Sequence, residues 1–235
     1  MPTAVVTGAA RGIGEATARR LRTDGYDVAL TDIDAEAVER AAAELGARAF
    51  VHDVRELESW EGLLGQLDDV HVLVNNAART EFRSFFEIDV DEWDDVLATN
   101  LRGTYLGCRV MGAAMRERGA GRIVNLASDA AFAASGGSGA HYAASKAGVV
   151  AVTRRAATEL ASHGGTVNAI APAAIDGPRA REVVRDRLEE KLGDIPVGRL
   201  GRPEEVAALV SFRASDDAAY LTGATLDLNG GVLMR

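Results

Sequence analysis

Residues 5–14 read VVTGAARGIG, a short apolar run that leads into Gly8, Gly12 and Gly14. A β-rich run that stops at a glycine before a helical stretch predicts a tight strand-to-helix turn. Glycine lets the backbone of such a turn approach a ligand closely, and the N-terminus of the following helix offers N–H groups and a positive dipole end. The stretch therefore predicts a phosphate-binding turn of an α/β fold, although glycines also serve plain turns.

Short apolar runs alternate with longer helical stretches on both sides of this turn and along the rest of the chain. Strands are predicted near residues 5–7, 28–31, 47–51, 70–74, 122–127, 166–170 and 225–228, and helices near 13–22, 35–45, 57–67, 90–118, 142–162, 180–192 and 203–214. Parallel strands need crossover connections, which helices supply. We therefore expect one domain over residues 1–235, a doubly wound, Rossmann-like parallel sheet of about seven strands with helices on both faces.

Composition and charge limit the classes of protein to which the chain can belong. Hydrophobic residues make up 47% of the chain and charged residues 26%, which is typical of a globular protein and not of a disordered one. The net charge is −9 and the sequence has no basic run, so nucleic acid is not an expected partner. The sequence has neither an apolar run of about 18 residues nor the pattern of a secretory signal, so we expect no membrane span. The one cysteine, Cys108, fits a reducing compartment, and we expect a cytoplasmic protein.

Asp32 ends the second predicted strand, 24 residues after Gly8. An acid there binds the adenosine ribose hydroxyls of a dinucleotide and repels a 2′-phosphate, so it favours NAD(H) over NADP(H). The alternative is that Asp32 caps the next helix, but Asp34 is better placed for that, directly before Ala35. Arg11 in the turn points the other way, because a cation there can meet a 2′-phosphate. NADP(H) therefore stays possible.

Tyr142 and Lys146 begin a predicted helix and lie on one face of it, because they are four residues apart. A free phenol, with a pKa near 10, is a poor base at neutral pH, and an adjacent cation favours its ionised form. Such a phenol can exchange a proton with a substrate oxygen while a hydride moves to or from carbon. The spacing also occurs by chance in surface helices, so the pair alone is a weak signal.

Two further polar residues strengthen this hypothesis. Ser128 follows the fifth predicted strand, where its hydroxyl can hold a substrate oxygen beside Tyr142; the alternative is a turn or cap at the strand end. Asn100 lies in the middle of a long predicted helix, where asparagine is unfavourable. It either exposes a backbone carbonyl to a water that relays protons to Lys146, or it is simply a solvated helix position.

With these residues assembled, the sequence resembles the short-chain dehydrogenase/reductase family over essentially the whole chain. Thr7, Gly8, Gly12 and Gly14 match the family's cofactor turn, and residues 75–78, Asn-Asn-Ala-Ala, are similar to its Asn-Asn-Ala-Gly. The resemblance implies that the catalytic residues are Asn100, Ser128, Tyr142 and Lys146. It implies that the cofactor-binding residues are Gly8, Arg11, Gly12, Ile13, Gly14, Asp32, Asp53, Val54, Asn76, Ala77, Tyr142, Lys146, Pro172 and Ile175. Among these, the implied roles of Asp53 and Ile175 are contacts with adenine and, through the backbone, with the nicotinamide carboxamide.

The chain departs from the family pattern at several points. Ala78 and Ala173 replace glycines, and Gly177 stands where a threonine often binds the nicotinamide amide. Ser128 and Tyr142 are separated by one residue more than is usual. These departures affect expectations about substrate and rate more than the class of reaction.

The expected function is hydride transfer between NAD(H) and a small alcohol or ketone. The alternatives are a 3-oxoacyl-carrier-protein reductase that uses NADPH, and a dinucleotide-binding sensor without catalysis. An epimerase or dehydratase usually carries a larger substrate domain than this chain has room for. In the resembled family, helices such as 90–118 and 142–162 pair between subunits, which implies a homotetramer or a homodimer.

The remaining candidate residues carry weaker expectations. His141 either lines the substrate cleft or is a loop residue without chemistry, and the histidines have no metal-ligand spacing, so no metal is expected. Cys108 is expected to be a packed helix residue, and Trp60 and Trp93 to be amphipathic anchors. Three arginines, Arg179, Arg181 and Arg185, lie in the segment 179–191. We expect them to belong to a solvated helix; the alternative is that they attract an anionic substrate.

Overall fold

Seven strands form one sheet in the structure, a computed structural model that describes residues 1–133, 138–177 and 192–235. The strands are β1 (Thr3–Thr7), β2 (Asp27–Asp32), β3 (Arg48–Val51), β4 (Val70–Asn75), β5 (Gly121–Leu126), β6 (Gly165–Pro172) and β7 (Thr225–Leu228). Every neighbouring pair is parallel, and the order across the sheet is β3-β2-β1-β4-β5-β6-β7. The chain therefore winds outward in one direction from β1 and in the other from β4, which confirms the predicted doubly wound sheet.

Helices cover both faces of this sheet. Those described are α1 (Gly12–Thr23), α2 (Ala35–Leu45), α3 (Leu57–Leu64), α4 (Val90–Leu97), α5 (Gly103–Arg118), α6 (Ala140–Ala161) and α7 (Pro203–Ala214). Buried residues of α1, α2 and α7 share one apolar core with the sheet, and those of α3, α5 and α6 share another. β1 contributes Val6 to the first core and Val5 to the second, so it is apolar on both faces. None of the helices in the described part of the chain has the length and apolar character needed to cross a bilayer.

The predicted element boundaries hold best where local capping fixes them. Helix α2 has the predicted bounds because the Asp34 carboxylate accepts the N–H of Ala37 at 3.0 Å and Gly46 ends it in the left-handed region. Helix α3 ends at Leu64, earlier than predicted. The helix predicted near 180–192 lies outside the described residues except at its last position.

The long helix predicted over 90–118 is interrupted. Residues Ala98–Arg102 form a π-helical segment between α4 and α5, and Asn100 within it is fully buried. A π segment widens the helix by one residue per turn and is frequent at functional sites. The sequence pattern is helical on both sides, so periodicity alone did not reveal the interruption.

Cys108 and Trp60 both lie in the apolar core on the α3, α5 and α6 side of the sheet. Cys108 is a buried residue of α5, as predicted, and burial raises the pKa of its thiol to about 12. Trp60 was expected to be an amphipathic anchor, but it is fully buried and donates its indole N–H to the carbonyl of Val54 at 2.9 Å.

Arg213 is a fully buried arginine on the side of α7 that faces the sheet, in line with Val206 and Val210. None of its three guanidinium nitrogens has a hydrogen-bond partner among the described residues, and burial lowers the pKa of the side chain. A charge buried without a partner is strongly unfavourable, whereas an apolar side chain of similar volume suits such a position.

We therefore expect Arg213→Leu to raise the free energy of unfolding by about 1–3 kcal/mol. The measurement is urea denaturation followed by circular dichroism at neutral pH. Arg213→Lys is the matched control, because it keeps a buried cation and should give no gain. A loss of stability in Arg213→Leu would contradict the interpretation of this arginine as an unpaired charge.

Candidate active site

The glycine turn lies at the carboxyl end of β1, at the point where the winding of the sheet reverses. Gly8 and Gly12 have φ values of +62°, in the left-handed region that favours glycine. A Cβ atom on Gly14 would lie 2.1 Å from the carbonyl oxygen of Gly8, so only glycine fits there. Helix α1 begins at Gly12, and the side chain of Arg11 before it forms no capping hydrogen bond. This leaves the start of α1 suited to an anion.

The turn is joined to the end of β4 by hydrogen bonds from two sides. The hydroxyl oxygen of Thr7 accepts the N–H groups of Asn76 and Ala77, each at 3.0 Å. The Asn76 side chain donates to the carbonyl oxygens of Thr7 and Gly8, at 2.8 and 3.0 Å. The side-chain amide of Asn76 thus holds the turn in place. The sequence predicted Asn76 as a cofactor-binding residue but did not predict this structural role.

Asp32 lies beside the turn, as its position at the end of β2 predicted. Its carboxylate accepts the N–H of Ala10 and the N–H of Asp34, both at 3.2 Å. Helix α2 is capped by Asp34 and not by Asp32. The prediction that Asp34, and not Asp32, caps α2 is therefore confirmed. The contact of Asp32 with a ligand stays a prediction.

Asp53 and Val54 follow β3 and lie near the turn of the chain into α3. The Asp53 carboxylate forms an ion pair with Arg55 at 2.7 Å, and hydrogen bonds from Arg55 hold the pKa of Asp53 below its usual range. Arg55 also pairs with Asp95 on α4 at 2.8 Å, and Asp95 pairs with Arg79. This chain of alternating charges was not predicted, because its members are 40 and 16 residues apart in the sequence.

Lys146 and Tyr142 lie together on α6, as their spacing predicted. The Lys146 side chain is 3% exposed, donates from Nζ to the carbonyl oxygen of Leu126 at 2.6 Å, and lies 5.7 Å from the centre of the Tyr142 ring. Burial lowers the pKa of Lys146 to about 8. The ammonium is therefore still the main form at neutral pH, next to the aromatic ring of the predicted acid/base.

Ser128 follows β5 two residues after Leu126, so it reaches the same end of the sheet as Lys146. Its hydroxyl donates to the carboxylate of Asp129 at 2.9 Å and accepts the N–H of Ala130 at 3.2 Å. The local role as a cap, one of the two interpretations of this residue, is therefore present. A bound substrate oxygen would have to replace Asp129 as the acceptor.

Asn100 is not a solvated helix position, because its side chain is fully buried. The side-chain oxygen accepts the N–H of Arg79 at 2.7 Å, and the side-chain nitrogen donates to the carbonyl of Arg79 at 2.9 Å and to the hydroxyl of Ser145 at 3.0 Å. The backbone carbonyl of Asn100 accepts the Thr104 hydroxyl at 2.7 Å. Asn100 therefore holds the segment after β4 against α6, and the water relay remains a prediction.

His141 is neither a loop residue nor exposed, which corrects the main sequence-based interpretation of it. It lies in the first turn of α6, is fully buried, and places Nε2 at 3.0 Å from the carboxylate of Glu92 on α4. Its Nδ1 accepts the N–H of Tyr142 at 2.8 Å. The adjacency of His141 to Tyr142 was the only signal in the sequence, and the partner on α4 is 49 residues away.

The far end of the site is built from β6 and the residues after it. Pro172 ends β6, and Ile175 forms an isolated parallel bridge with Gly201. Gly177 is the last residue described before the gap, so the predicted role of Arg179, Arg181 and Arg185 lies outside the described residues. The arrangement places a backbone segment at the carboxyl end of β6, on the same edge of the sheet as Ser128 and Tyr142.

The residues at this edge fit a nicotinamide dinucleotide. The close backbone approach at Gly14 leaves no room for a side chain over the turn, and Asp32 lies at the end of the neighbouring strand. Tyr142, Lys146 and Ser128 lie at the end of β5 and the start of α6. The site thus combines a cradle for a diphosphate with a group that can transfer a proton.

Comparison with known proteins gives matches along nearly the whole chain. The family model described as Enoyl-(Acyl carrier protein) reductase matches residues 8–233. A 3-oxoacyl-(acyl-carrier-protein) reductase of Pseudomonas aeruginosa is 41% identical over 98% of this chain and 97% of its own length. The corresponding reductase of Vibrio harveyi is 38% identical over the same shares of the two chains.

Solved structures agree with these matches. The crystal structure of a 3-oxoacyl-(acyl-carrier protein) reductase from Brucella melitensis superposes with a TM-score of 0.94 at 31% identity, covering 100% of this chain and 92% of that one. A structure titled short chain dehydrogenase/reductase family protein has a TM-score of 0.92 at 38% identity, with 98% and 96% covered. Fold, site and relatives agree, and the chain belongs to the short-chain dehydrogenase/reductase family.

Proposed function

We propose that the protein is an NAD(H)-dependent ketoreductase that interconverts a 3-oxoacyl and a 3-hydroxyacyl thioester. The chain is an oxidoreductase of the CH–OH/C=O class with a nicotinamide cofactor. The proposed substrate rests on relatives named 3-oxoacyl-carrier-protein reductases at 37–41% identity over 98% of the chain. The observation that carries the reaction is the buried ammonium of Lys146 beside Tyr142.

The proposed mechanism assigns proton transfer to Tyr142. When bound, the nicotinamide supplies the hydride that reduces the carbonyl carbon of the substrate. The Tyr142 hydroxyl donates a proton to the carbonyl oxygen, and the ammonium of Lys146 favours the phenolate that remains. Ser128 donates a hydrogen bond to the same oxygen, which replaces the Asp129 carboxylate as the acceptor of its hydroxyl. The reverse reaction returns the proton to Tyr142.

A small alcohol or ketone is the second candidate substrate. The site chemistry is the same for both, since only the carbonyl and its hydrogen-bond donors take part in proton and hydride transfer. Ala173 and Gly177, which depart from the family pattern, follow β6 at the edge of the sheet where the resemblance implies the nicotinamide. We favour the thioester because the relatives at 37–41% identity are named 3-oxoacyl-(acyl-carrier-protein) reductases.

Asp32 is the basis for proposing NAD(H) instead of NADP(H). Its carboxylate is held next to the glycine turn by the N–H groups of Ala10 and Asp34. A fixed negative charge there repels a 2′-phosphate and accepts ribose hydroxyls. Arg11 is exposed and lies directly before α1, so it is a nearby cation that would favour NADPH.

The oligomeric state and the cellular location of the protein are also proposals. We expect a homotetramer or homodimer formed through α4, α5 and α6, where Tyr105 is 50% exposed. The expected cytoplasmic location stays a prediction.

Removal of the Tyr142 hydroxyl tests the proposed acid/base role. With NADH and acetoacetyl-CoA as a 3-oxoacyl thioester, loss of absorbance at the NADH band should report turnover, and Tyr142→Phe should lower kcat by about 10²–10⁴-fold. Tyr220→Phe, at a fully exposed tyrosine, is the matched control and should leave kcat unchanged. Turnover of simple ketones but not of the thioester would favour the second substrate class. Nucleotide binding without turnover of any carbonyl would favour the sensor.

Removal of the Asp32 charge tests the proposed choice of cofactor. Asp32→Asn keeps a hydrogen-bond acceptor for Ala10 but removes the negative charge. It should raise the ratio of kcat/KM for NADPH to that for NADH by about tenfold or more, which corresponds to ~1.4 kcal/mol. Asp34→Asn is the control, because asparagine caps a helix as well as aspartate. A wild-type enzyme that prefers NADPH would refute the proposed role of Asp32.

The buried ammonium of Lys146 should lower the stability of the fold at neutral pH. Its pKa falls from the ordinary lysine value to about 8 in the folded protein. Below about pH 8 folding therefore buries an ammonium, which costs up to about 3 kcal/mol, and above the ordinary lysine pKa this cost disappears. Lys146→Met lacks the charge, so its Tm relative to wild type should be higher at pH 7 than at pH 10.

The measurement is differential scanning fluorimetry of both proteins across this pH range. Arg154→Met, which removes an exposed cation from the same helix, is the control and should show no such trend. A Tm difference that stays constant from pH 7 to pH 10 would mean that Lys146 does not titrate with a lowered pKa.

A further inference from the structure

His141 forms hydrogen bonds with both of its ring nitrogens, although it is fully buried. Nδ1 accepts the backbone N–H of Tyr142 at 2.8 Å, so it carries no hydrogen. The hydrogen is therefore on Nε2, which donates to the carboxylate of Glu92 at 3.0 Å. These two contacts fix the tautomer and the orientation of the ring.

The contact with Tyr142 takes the place of a helix cap. Gly139 precedes α6 and has no side chain with which to accept the N–H groups of the first turn. Tyr142 is the third residue of the helix, where the capping side chain usually binds. A Cβ atom on Gly139 would lie 2.3 Å from Cε1 of His141, so glycine is required for the ring to take this position.

Glu92 is itself held from three directions. Its N–H donates to Asp89 at 2.7 Å, and its two carboxylate oxygens accept from His141 and from Arg83, the latter at 3.1 Å. Residues 89–92 have the pattern of a capping box, in which the last residue usually turns back to the start of its own helix. Here the carboxylate of Glu92 instead reaches the start of α6.

The carbonyl of Tyr142 is held from the same side of the site. It accepts the Ser145 hydroxyl at 2.7 Å, and Ser145 accepts the side-chain amide of Asn100 at 3.0 Å. The backbone N–H and carbonyl of Tyr142 are thus bonded to the side chains of His141 and Ser145. Both of these side chains are in turn held by the segment that runs from α4 to the π-helical turn. The two points of attachment are Glu92 and Asn100.

We propose that His141, oriented by Glu92, is a positioning residue that sets the place of the Tyr142 phenol by holding its backbone N–H. This inference rests on the proposed acid/base role of Tyr142. A displacement of a reacting group by about 1 Å can lower the rate by about 10²-fold. His141 therefore affects the proton transfer without touching the substrate.

Three substitutions separate positioning from general stability. His141→Gln keeps a donor that can reach Glu92 but places no acceptor at the position of Nδ1. His141→Asn keeps an acceptor there, because its Oδ1 atom has the same place along the side chain as Nδ1. Glu92→Leu removes the partner that orients the ring, and Glu92→Gln, which keeps an acceptor, is its matched control.

The readouts are kcat with NADH and acetoacetyl-CoA, the Kd of NADH from fluorescence titration, and Tm. We expect His141→Gln and Glu92→Leu each to lower kcat by about 10- to 100-fold with the NADH Kd changed less than twofold. His141→Asn and Glu92→Gln should keep at least a third of wild-type kcat. The double variant of His141→Gln and Glu92→Leu should be no slower than the slower single variant by more than twofold, because both act through one contact.

Several results would overturn the proposal. These are wild-type kcat in His141→Gln, equal losses in His141→Asn and His141→Gln, or fully multiplicative losses in the double variant. If His141→Gln does not fold, the pair Glu92→Leu and Glu92→Gln decides the question by the same readouts. Wild-type activity in Tyr142→Phe would refute the proposed function itself, whatever the His141 variants show.

Discussion

The fit of the glycine turn against the end of β4 is the constraint on which the site depends. Gly8 and Gly14 allow backbone atoms to lie where any side chain would collide, and Asn76 fixes that arrangement through the carbonyls of Thr7 and Gly8. The result is an open helix start at the reversal point of the sheet, where ligands of such folds bind. The hydrogen bonds that make this opening are internal, so the cradle exists before any ligand arrives.

The catalytic side of the site is built from buried polar groups, which are costly unless they are hydrogen-bonded. Asn100 and His141 meet this condition with two or more partners each, and Lys146 has the carbonyl of Leu126. Lys146 is the least compensated of the three, because its lowered pKa has no cause other than burial. Burial of Lys146 thus lowers the stability of the fold at a residue whose charge the proposed reaction needs, a common trade between stability and activity.

The sequence was sufficient to predict the fold and to select candidate site residues that lie at one edge of the sheet, because this information lies in local patterns. Apolar runs, capping acids such as Asp34, and the turn glycines each act within a few residues, and the spacing of Tyr142 and Lys146 follows from helix geometry. Contacts across the fold had no such pattern. The pairing of Glu92 with His141 and of Asn100 with Arg79 depends on how α4 and α6 approach each other, and the π-helical turn at Asn100 interrupts an otherwise regular helical pattern.

The same reasoning explains why His141 was misjudged: it was interpreted from its neighbours in the sequence, which made it a loop residue. For Asn100, burial and contacts across the fold exclude the solvated alternative and leave the water relay as a prediction. In the fold both belong to one connection, from the α4 segment to the two ends of the Tyr142 peptide backbone. A histidine in the first turn of α6 takes over the role of a cap only because Gly139 leaves room for its ring. Under the proposed positioning role, the place of the phenol therefore depends on two side chains from a distant segment, Glu92 and Asn100.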